Sequence, residues 1–274
     1  MTKITPDQLR NAVQFVACDH APLCHGFRWR IQDEQALAQL VAWILEGYYH
    51  HAARILARLD STRPIVPATI KTQAIRVISL PPKTGDVAAR WHRDGLVFQH
   101  ISWLAALASA PRGIASSIPH LRPAHKGFDA LLVPLKNKTT ALEGIIICED
   151  KATTNPRNQI TQNVWPEIAT IEGGERDAEL NGELVAILRN HGIQNLERVI
   201  SAAHWLNRKS YRVSITVGDS HEDNAARHKL FEGFDACAPG NDHTRRRAET
   251  LTLTNMRDWM DAFCKKVVGA IKGN

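Results

Sequence analysis

Three charged residues lie at the ends of two neighbouring apolar runs in the middle of the chain. Asp129 opens the first run, and Glu149 and Lys151 close the second. If both runs are strands, successive side chains point to opposite faces, so Glu149 and Lys151 share a face and Asp150 faces away. An adjacent Asp129 would complete a pair of carboxylates, ligands suited to Mg²⁺ or Mn²⁺, beside an ammonium group. These groups are the minimum set for metal-dependent hydrolysis of a phosphodiester.

The second apolar run, Ile145 to Cys148, ends in three consecutive charged residues. A buried strand rarely ends this way, because buried charges must be paired or bound to a metal. The alternative is a strand that simply reaches the surface at Glu149. In that case Asp129 caps a turn, and Lys151 forms only an ion pair with Glu149.

At these residues the chain resembles the PD-(D/E)XK nuclease superfamily, in which a strand acid and a later Glu-x-Lys or Asp-x-Lys form a metal site. Asp129, Glu149 and Lys151 match this pattern, although Phe128 stands where a Pro is common. The resemblance covers about residues 88 to 218. It implies an α/β fold of the restriction-endonuclease-like type, with a mixed central sheet flanked by helices.

The resemblance also implies a role for each matching residue. Asp129 and Glu149 are expected to hold Mg²⁺ or Mn²⁺, with the main-chain carbonyl of Asp150 as a further ligand. Lys151 is expected to orient or deprotonate the attacking water, or to stabilise developing negative charge. The sequence leaves these roles of Lys151 open.

Many superfamily members carry a further carboxylate, often Glu, on the helix before the hairpin. Gln99 occupies the corresponding inward position in this chain. An amide orients water but is a poorer metal ligand than a carboxylate, which favours a single-ion site and leaves the number of metal ions open. Asp94 is the alternative acid on this helix.

Basic residues near these motifs are candidates for contacts with the phosphates of a nucleic acid. Such contacts do not depend on base sequence and weaken steeply with salt. Each of these residues equally suits a solvated surface. The predicted nucleic-acid-binding residues are Arg122, Lys126, Arg157, Arg245, Arg246 and Arg247.

Composition narrows the class of protein. Among 274 residues, Lys and Arg number 34 and Asp and Glu 28, a balance that favours a polyanionic partner. The five cysteines are scattered without a paired C-x-x-C, which fits a reducing cytoplasm. We expect neither secretion nor membrane insertion, because no signal core or long apolar run is present. A P-loop and a Gly-x-Ser-x-Gly motif are also absent, which disfavours an ATPase or a serine hydrolase of those designs.

Apolar spacing and Pro or Gly breaks predict the elements around the candidate site. A helical amino-terminal region over residues 1–65 is expected to precede a nuclease-like domain over residues 66–274. The predicted helices span 6–17, 33–59, 87–108, 176–190 and 194–207, with one more starting at Pro156 and a last one near the carboxyl terminus. The predicted strands span 74–80, 127–135, 143–151, 211–217 and 248–253.

These features favour a cytoplasmic, metal-dependent DNA endonuclease of prokaryotic restriction or anti-phage defence. The segment Lys126 to Ala130, followed by Glu-x-Lys, resembles the nuclease subunit of Hachiman-type defence systems, which works beside a separate helicase. This resemblance implies a helicase or other ATPase as a partner subunit. Two alternatives are a non-catalytic nucleic-acid-binding or scaffold subunit, and an effector that stays silent until a partner releases it.

Overall fold

The computed structural model of the chain describes residues 4–79, 87–110, 114–123, 127–136, 141–193, 196 and 209–274. Its strands are β1 (Val13–His20), β2 (Cys24–Ile31), β3 (Ile114–Ser116), β4 (Ala130–Lys136), β5 (Ala141–Leu142), β6 (Ile145–Lys151), β7 (Lys209–Val217) and β8 (Arg246–Thr252). Its helices are α1 (Pro6–Arg10), α2 (Glu34–Leu45), α3 (Tyr49–Leu56), α4 (Ala68–Ile78), α5 (Val87–Ser109), α6 (Pro156–Gln159), α7 (Trp165–Glu172), α8 (Asp177–Asn190), α9 (Asn224–Phe231), α10 (Phe234–Cys237) and α11 (Met256–Gly273).

The described strands form one mixed sheet in the order β1-β2-β8-β7-β6-β4-β3, with β5 paired to the end of β4. Strands β2, β8, β7 and β6 run parallel, and β1, β4 and β3 pair with their neighbours antiparallel. The carboxyl ends of the four parallel strands therefore meet at one edge of the sheet, which we call the carboxyl edge. Because β4 runs the opposite way, its first residues also lie there.

Helices cover both faces of the sheet, so the mixed α/β architecture is confirmed. On one face, α2, α5 and α11 bury residues such as Leu37, Phe98 and Met260. On the other face, α7 and α9 bury residues such as Ile168 and Phe231. Each strand of the centre thus places alternate side chains in two separate apolar cores.

The predicted hairpin around the candidate site is confirmed. Strands β4 and β6 pair antiparallel, with Ala130 opposite Cys148 and Leu132 opposite Ile146. The predicted strand over 211–217 is also present as β7, which runs parallel to β6. The predicted final strand and helix correspond to β8 and α11.

The prediction of a helical amino-terminal region is wrong for residues 13–31. Helix α1 ends at Arg10, and β1 and β2 form a hairpin in which buried Cys18 and His20 alternate with exposed neighbours. Strand β2 then pairs with β8 in the central sheet. The partner strand that stabilises this hairpin lies more than two hundred residues along the chain, so local sequence patterns do not reveal it.

Two further predictions are corrected. Residues 74–80 were expected to form a strand, but α4 runs to Ile78 and buries Ala74 and Ile78, which lie one helical turn apart. The predicted helix over 33–59 is divided into α2 and α3 by Gly47, whose φ is +81°. This left-handed conformation favours glycine and interrupts a right-handed helix.

The helix that begins at Pro156 continues past Pro166, where an early end or a kink was expected. A π-helical segment, Ile160–Val164, joins α6 to α7, and Pro166 lies in the first turn of α7. Proline cannot donate to the preceding turn and crowds its carbonyl, and a wider π turn relieves that conflict. Strand β3 and helix α9 were not predicted, and the predicted helix over 194–207 lies outside the described residues except for Leu196.

No helix among the described residues combines the length and the apolar character that a membrane crossing requires.

The burial of one acid predicts a pH-dependent stability. Glu46 follows α2, is 3% exposed, and its Oε1 has no hydrogen-bonding partner in the part of the chain that the structure describes. Burial raises the pKa of Glu46 to about 7, against smaller lowering by a hydrogen bond from Asn274 and by the charges of Lys71 and Arg63. Because the folded-state pKa lies above the unfolded value of 4.5, folding loses stability as the pH rises between these values.

We therefore expect Glu46→Gln to be more stable than the wild type by about 1–2 kcal/mol at pH 8, and by much less at pH 4.5. Urea unfolding of both proteins at the two pH values measures this difference. An equal difference at both pH values would show that Glu46 does not titrate in this range.

Candidate active site

Asp129 lies at the bend that precedes β4, at the carboxyl edge. Its Oδ2 accepts a hydrogen bond of 2.7 Å from the main-chain N–H of Asp150, and its Oδ1 accepts one from Nε2 of Gln99. The β4–β6 ladder begins only at Ala130, so the Asp129 carboxylate takes the place of a main-chain partner for β6. This fixes the carboxylate against the strand that carries Glu149 and Lys151.

Glu149 and Lys151 project from the same face of β6, as their spacing predicts. Lys151 Nζ lies 2.9 Å from Glu149 Oε2 and 3.3 Å from Asp129 Oδ2. The two carboxylates, from adjacent strands, therefore converge on one cation. The structure thus brings together Asp129, Glu149, Lys151 and Gln99, the four residues predicted for catalysis.

Burial and the neighbouring charges together set the protonation of Glu149 and Lys151. Burial raises the pKa of Glu149 to about 7, with a further rise from the Asp129 charge and an opposing effect from Lys151. For Lys151, burial lowers the pKa, but the charges of Glu149 and Asp129 outweigh it and hold the pKa above its usual value. Lys151 is therefore an ammonium group at neutral pH.

The side chain of Asp150 points to the opposite face of the sheet, as predicted. Its Oδ1 accepts a hydrogen bond of 2.5 Å from Ser102 Oγ and lies 3.6 Å from Arg212 Nη1. Arg212 Nη2 also donates a hydrogen bond of 2.7 Å to Glu249 Oε2, and Glu249 forms a second ion pair with Arg247. We call these five residues the buried polar network: they lie on the face of the sheet that α5 covers, and all of them except Arg247 are buried.

An open cleft of about 590 Å³ lies in front of Asp129, Glu149 and Lys151. Its far wall comes from the π-helical segment, α7 and the start of α8. The residues of that wall are Gln162, Asn163, Pro166, Glu167, Thr170 and Arg176.

Arg176 and Glu167 are cleft residues that the sequence did not predict. Arg176 follows a Gly-Gly turn and matches no motif, and its position in the cleft depends on the packing of its guanidinium against the Phe128 ring, 4.2 Å from the centroid. Glu167 lies within the continuous helical run from Pro156 to Glu172, where a half-exposed acid by itself indicates no function. Neither residue carries a local signal that would have identified it.

The site offers three oxygen donors to a divalent cation. No cluster of three or more His, Cys, Asp or Glu side chains suited to a metal occurs among the described residues. Asp129 and Glu149 nevertheless supply two hard oxygen donors, and both already pair with the ammonium group of Lys151. The N–H of Asp150 points to Asp129, and an extended residue directs its N–H and C=O to the same side of the strand, so this carbonyl faces the same region. Two carboxylates and a carbonyl fit Mg²⁺ or Mn²⁺, with water completing the shell.

The alternative acid Asp94 does not join the site. It is fully buried and paired with Arg93 and Arg257 on the other side of α5. Gln99, five residues further along and therefore on a different side of the helix, is the residue of α5 that reaches Asp129.

The predicted nucleic-acid-binding residues are dispersed. Arg122 is exposed in the segment after β3, and Lys126 lies outside the described residues. Arg157 donates to the main-chain carbonyls of Leu230 and Glu232, at 2.8 and 2.9 Å, and so connects α6 to the end of α9.

The run of three arginines before and within β8 is not a basic surface, which corrects that expectation. Arg246 is 2% exposed and donates to main-chain carbonyls, while Arg245 pairs with Glu172 and Arg247 with Glu249. Strand β8 runs parallel to β6, so this run lies at the edge opposite the carboxyl edge. Seven residues of strand separate the two edges by roughly 20 Å.

No protein-family model matches the chain, and comparison with curated proteins and with solved structures also finds no match.

Proposed function

We propose that the protein is a metal-dependent nuclease that hydrolyses phosphodiester bonds of DNA. The observation that carries this proposal is the convergence of the Asp129 and Glu149 carboxylates on Lys151 Nζ, at 3.3 and 2.9 Å, in an open cleft. Two nearly buried carboxylates from adjacent strands carry a desolvation cost that a bound cation offsets, and the open cleft lets a metal ion reach them. In the proposed site a metal ion takes the place that Lys151 Nζ occupies between the two carboxylates.

The order of elements supports a restriction-endonuclease-like core. Helix α5, strands β3, β4 and β6, helices α6, α7 and α8, and strand β7 occur in this order along the chain, with the short strand β5 between β4 and β6. In the sheet β3, β4 and β6 are successive antiparallel neighbours, and β7 is parallel to β6. This is the order that the resemblance to the PD-(D/E)XK superfamily implies for residues 88 to 218.

Each side chain has a defined part in this proposal. Asp129 and Glu149, with the carbonyl of Asp150, would hold a single Mg²⁺ or Mn²⁺. A bound ion supplies Lewis acidity and neutralises charge on the phosphoryl oxygens. Lys151, an ammonium at neutral pH, donates hydrogen bonds to the attacked phosphate and stabilises the negative charge that develops there. Gln99 holds the Asp129 carboxylate in position through its amide.

The setting in which such a nuclease works is a further part of the proposal. The similarity of residues 126–130 to the nuclease subunit of Hachiman-type systems supports a role in prokaryotic anti-phage defence or restriction. A helicase or other ATPase subunit is the partner that this similarity suggests.

Cleavage of plasmid and linear DNA by the purified protein tests the proposed function. We expect cutting with Mg²⁺ or Mn²⁺ and none with EDTA, because two carboxylates without a metal cannot stabilise the charge of the reacting phosphate. Cutting that persists in EDTA would contradict the proposal. No cutting by a folded protein that binds Mg²⁺ in calorimetry would instead favour the partner-gated form, and a protein that neither cuts nor binds metal would favour a scaffold.

A further inference from the structure

We propose that Arg176 forms a phosphate-binding site on the far wall of the cleft, which holds the nucleic-acid strand beside the phosphodiester that is cut. This inference rests on the proposed nuclease function but concerns a different set of residues. It assigns the ligand chemistry, a phosphodiester anion, to a side chain outside the metal site.

The first observation is the position of the guanidinium. Arg176 lines the same cleft as Asp129 and Glu149, and it stacks on Phe128, the residue directly before Asp129. Phe128 is only 5% exposed, so the ring is a fixed support. Arg176 is therefore held at a set position relative to the candidate metal ligands.

The second observation concerns charge. Among the described residues that line the cleft, Lys151 and Arg176 are the cations. In the proposed function Lys151 serves the phosphate that is cut, beside the two carboxylates of the metal site. A nucleic-acid strand entering this otherwise acidic cleft needs a second cation, and Arg176 supplies it.

The third observation is the geometry of the Arg176 ion pairs. The guanidinium donates two hydrogen bonds, of 2.7 and 2.6 Å, to the two carboxylate oxygens of Glu179, and it also pairs with Glu167. A phosphate presents the same pair of oxygens to an arginine. The side chains of Glu167 and Glu179 are 36% and 41% exposed, so solvent screens both pairs and a phosphate can compete for the guanidinium.

The fourth observation is the polar lining beside Arg176. Gln162 and Asn163 project from the π-helical segment into the cleft and are exposed. Neither side chain has a hydrogen-bonding partner within the described ranges. Their amides can donate to the phosphate and sugar oxygens of a strand that Arg176 holds.

Oligonucleotide binding tests the inference separately from cleavage. Fluorescence anisotropy of a short labelled DNA duplex and a labelled single strand, in Ca²⁺ in place of Mg²⁺, is measured at several salt concentrations. We expect Arg176→Ala to weaken binding about tenfold and to lower the slope of log affinity against log salt by about one. Arg189→Ala is the matched control, because Arg189 is exposed at the far end of α8 and outside the cleft.

Two conservative variants keep the test independent of folding. Glu179→Gln removes the competing charge and is expected to strengthen DNA binding by about threefold or more, whereas loss of a merely structural ion pair would not do so. Arg176→Lys keeps the charge without the paired donors and is expected to bind with intermediate affinity.

The outcomes distinguish this inference from the proposed function. If Arg176→Ala binds like Arg189→Ala, or if Glu179→Gln weakens binding, the phosphate site is wrong even when the wild type cuts DNA. DNA binding that depends on Arg176, in a protein that neither cuts DNA nor binds Mg²⁺, would leave the phosphate site standing and overturn the proposed nuclease function. A wild type that binds neither duplex nor single strand overturns the phosphate site.

Discussion

Replacement of Lys151 by methionine is expected to abolish DNA cleavage while strengthening Mg²⁺ binding. Lys151 Nζ lies 2.9 Å from Glu149 and 3.3 Å from Asp129, at the point where their oxygens converge. A divalent ion bound by these carboxylates would lie close to this ammonium group, and the two positive charges would repel each other. Two unit charges about 4 Å apart interact by about 4 kcal/mol at the effective dielectric of a partly exposed site, so even a fraction of this repulsion opposes metal binding measurably.

We expect Lys151→Met to bind Mg²⁺ about tenfold more tightly in calorimetry, a gain of about 1.4 kcal/mol. Its cleavage rate is expected to fall by about 10²–10⁴-fold, because it lacks the donor that stabilises charge on the phosphate. Glu149→Gln, in contrast, is expected to lose both metal binding and cleavage. The opposite effects of the two variants on metal affinity separate a catalytic lysine from a lysine that only holds the strand end together.

The control for Lys151→Met is Lys265→Met, a loss of the same charge at an exposed position of α11. It is expected to cut DNA and bind Mg²⁺ like the wild type. If Lys151→Met retains cleavage at the level of this control, Lys151 has no part in the chemistry. If it loses metal binding along with cleavage, the ammonium does not compete with the ion.

Replacement of Arg212 by methionine is expected to have the largest effect on stability. Arg212 is fully buried in the buried polar network, where it pairs with Glu249 at 2.7 Å and donates 2.8 Å to Ser102. Ser102 also holds the carboxylate of Asp150. Removal of the guanidinium leaves the buried carboxylates of Asp150 and Glu249 without its positive charge. An unpaired buried charge lowers stability by far more than the ion pair itself contributed.

We expect Arg212→Met to lower the free energy of unfolding by about 3–5 kcal/mol in urea denaturation, whereas the surface variant Arg189→Met changes it by about 0.5 kcal/mol or less. The double variant Arg212→Met/Glu249→Gln is expected to lose less than the sum of its single changes, because it removes one of the stranded charges. Additive losses would show that Arg212 stabilises the fold by packing alone. A loss no larger than that of the surface variant would contradict the assignment of a buried ionic network.

The two expected effects meet at Asp150. Its main-chain N–H bonds Asp129 on the cleft side, and its side chain bonds Ser102 on the other side of the sheet. The strand end that carries Glu149 and Lys151 is therefore fixed from both sides. A destabilised Arg212 variant can be compared with the wild type at low temperature to learn how far this support affects cleavage.

Much of the site neighbourhood was predictable because its signals are local. The apolar runs before Glu149 and after Asp129, and the short connection between them, predict a hairpin, and β4 and β6 form it. Alternation along β6 also places Asp150 on the face opposite Glu149, as the structure shows. The nuclease role of these residues stays a prediction until cleavage is measured.

Other parts were not predictable because their signals are distant or ambiguous. Ala74 to Leu80 has the β-branched character of a strand, yet α4 buries Ala74 and Ile78 against the helices around it. Arg245, Arg246 and Arg247 look like a basic surface in the sequence, but they bond carbonyls and acids that come from other elements. Burial of a charged residue depends on partners that a single segment does not contain.

The sequence by itself determined the types and spacing of Asp129, Glu149 and Lys151 and the strand alternation that puts the last two on one face, since these follow from local backbone geometry. Only the tertiary structure decided that Asp129 bonds the main chain of β6, that the amino-terminal hairpin joins β8, and that Arg176 stacks on Phe128 across the cleft. Such contacts join distant segments, and they form because the whole chain buries its apolar surface in two cores and must pair the polar groups left inside.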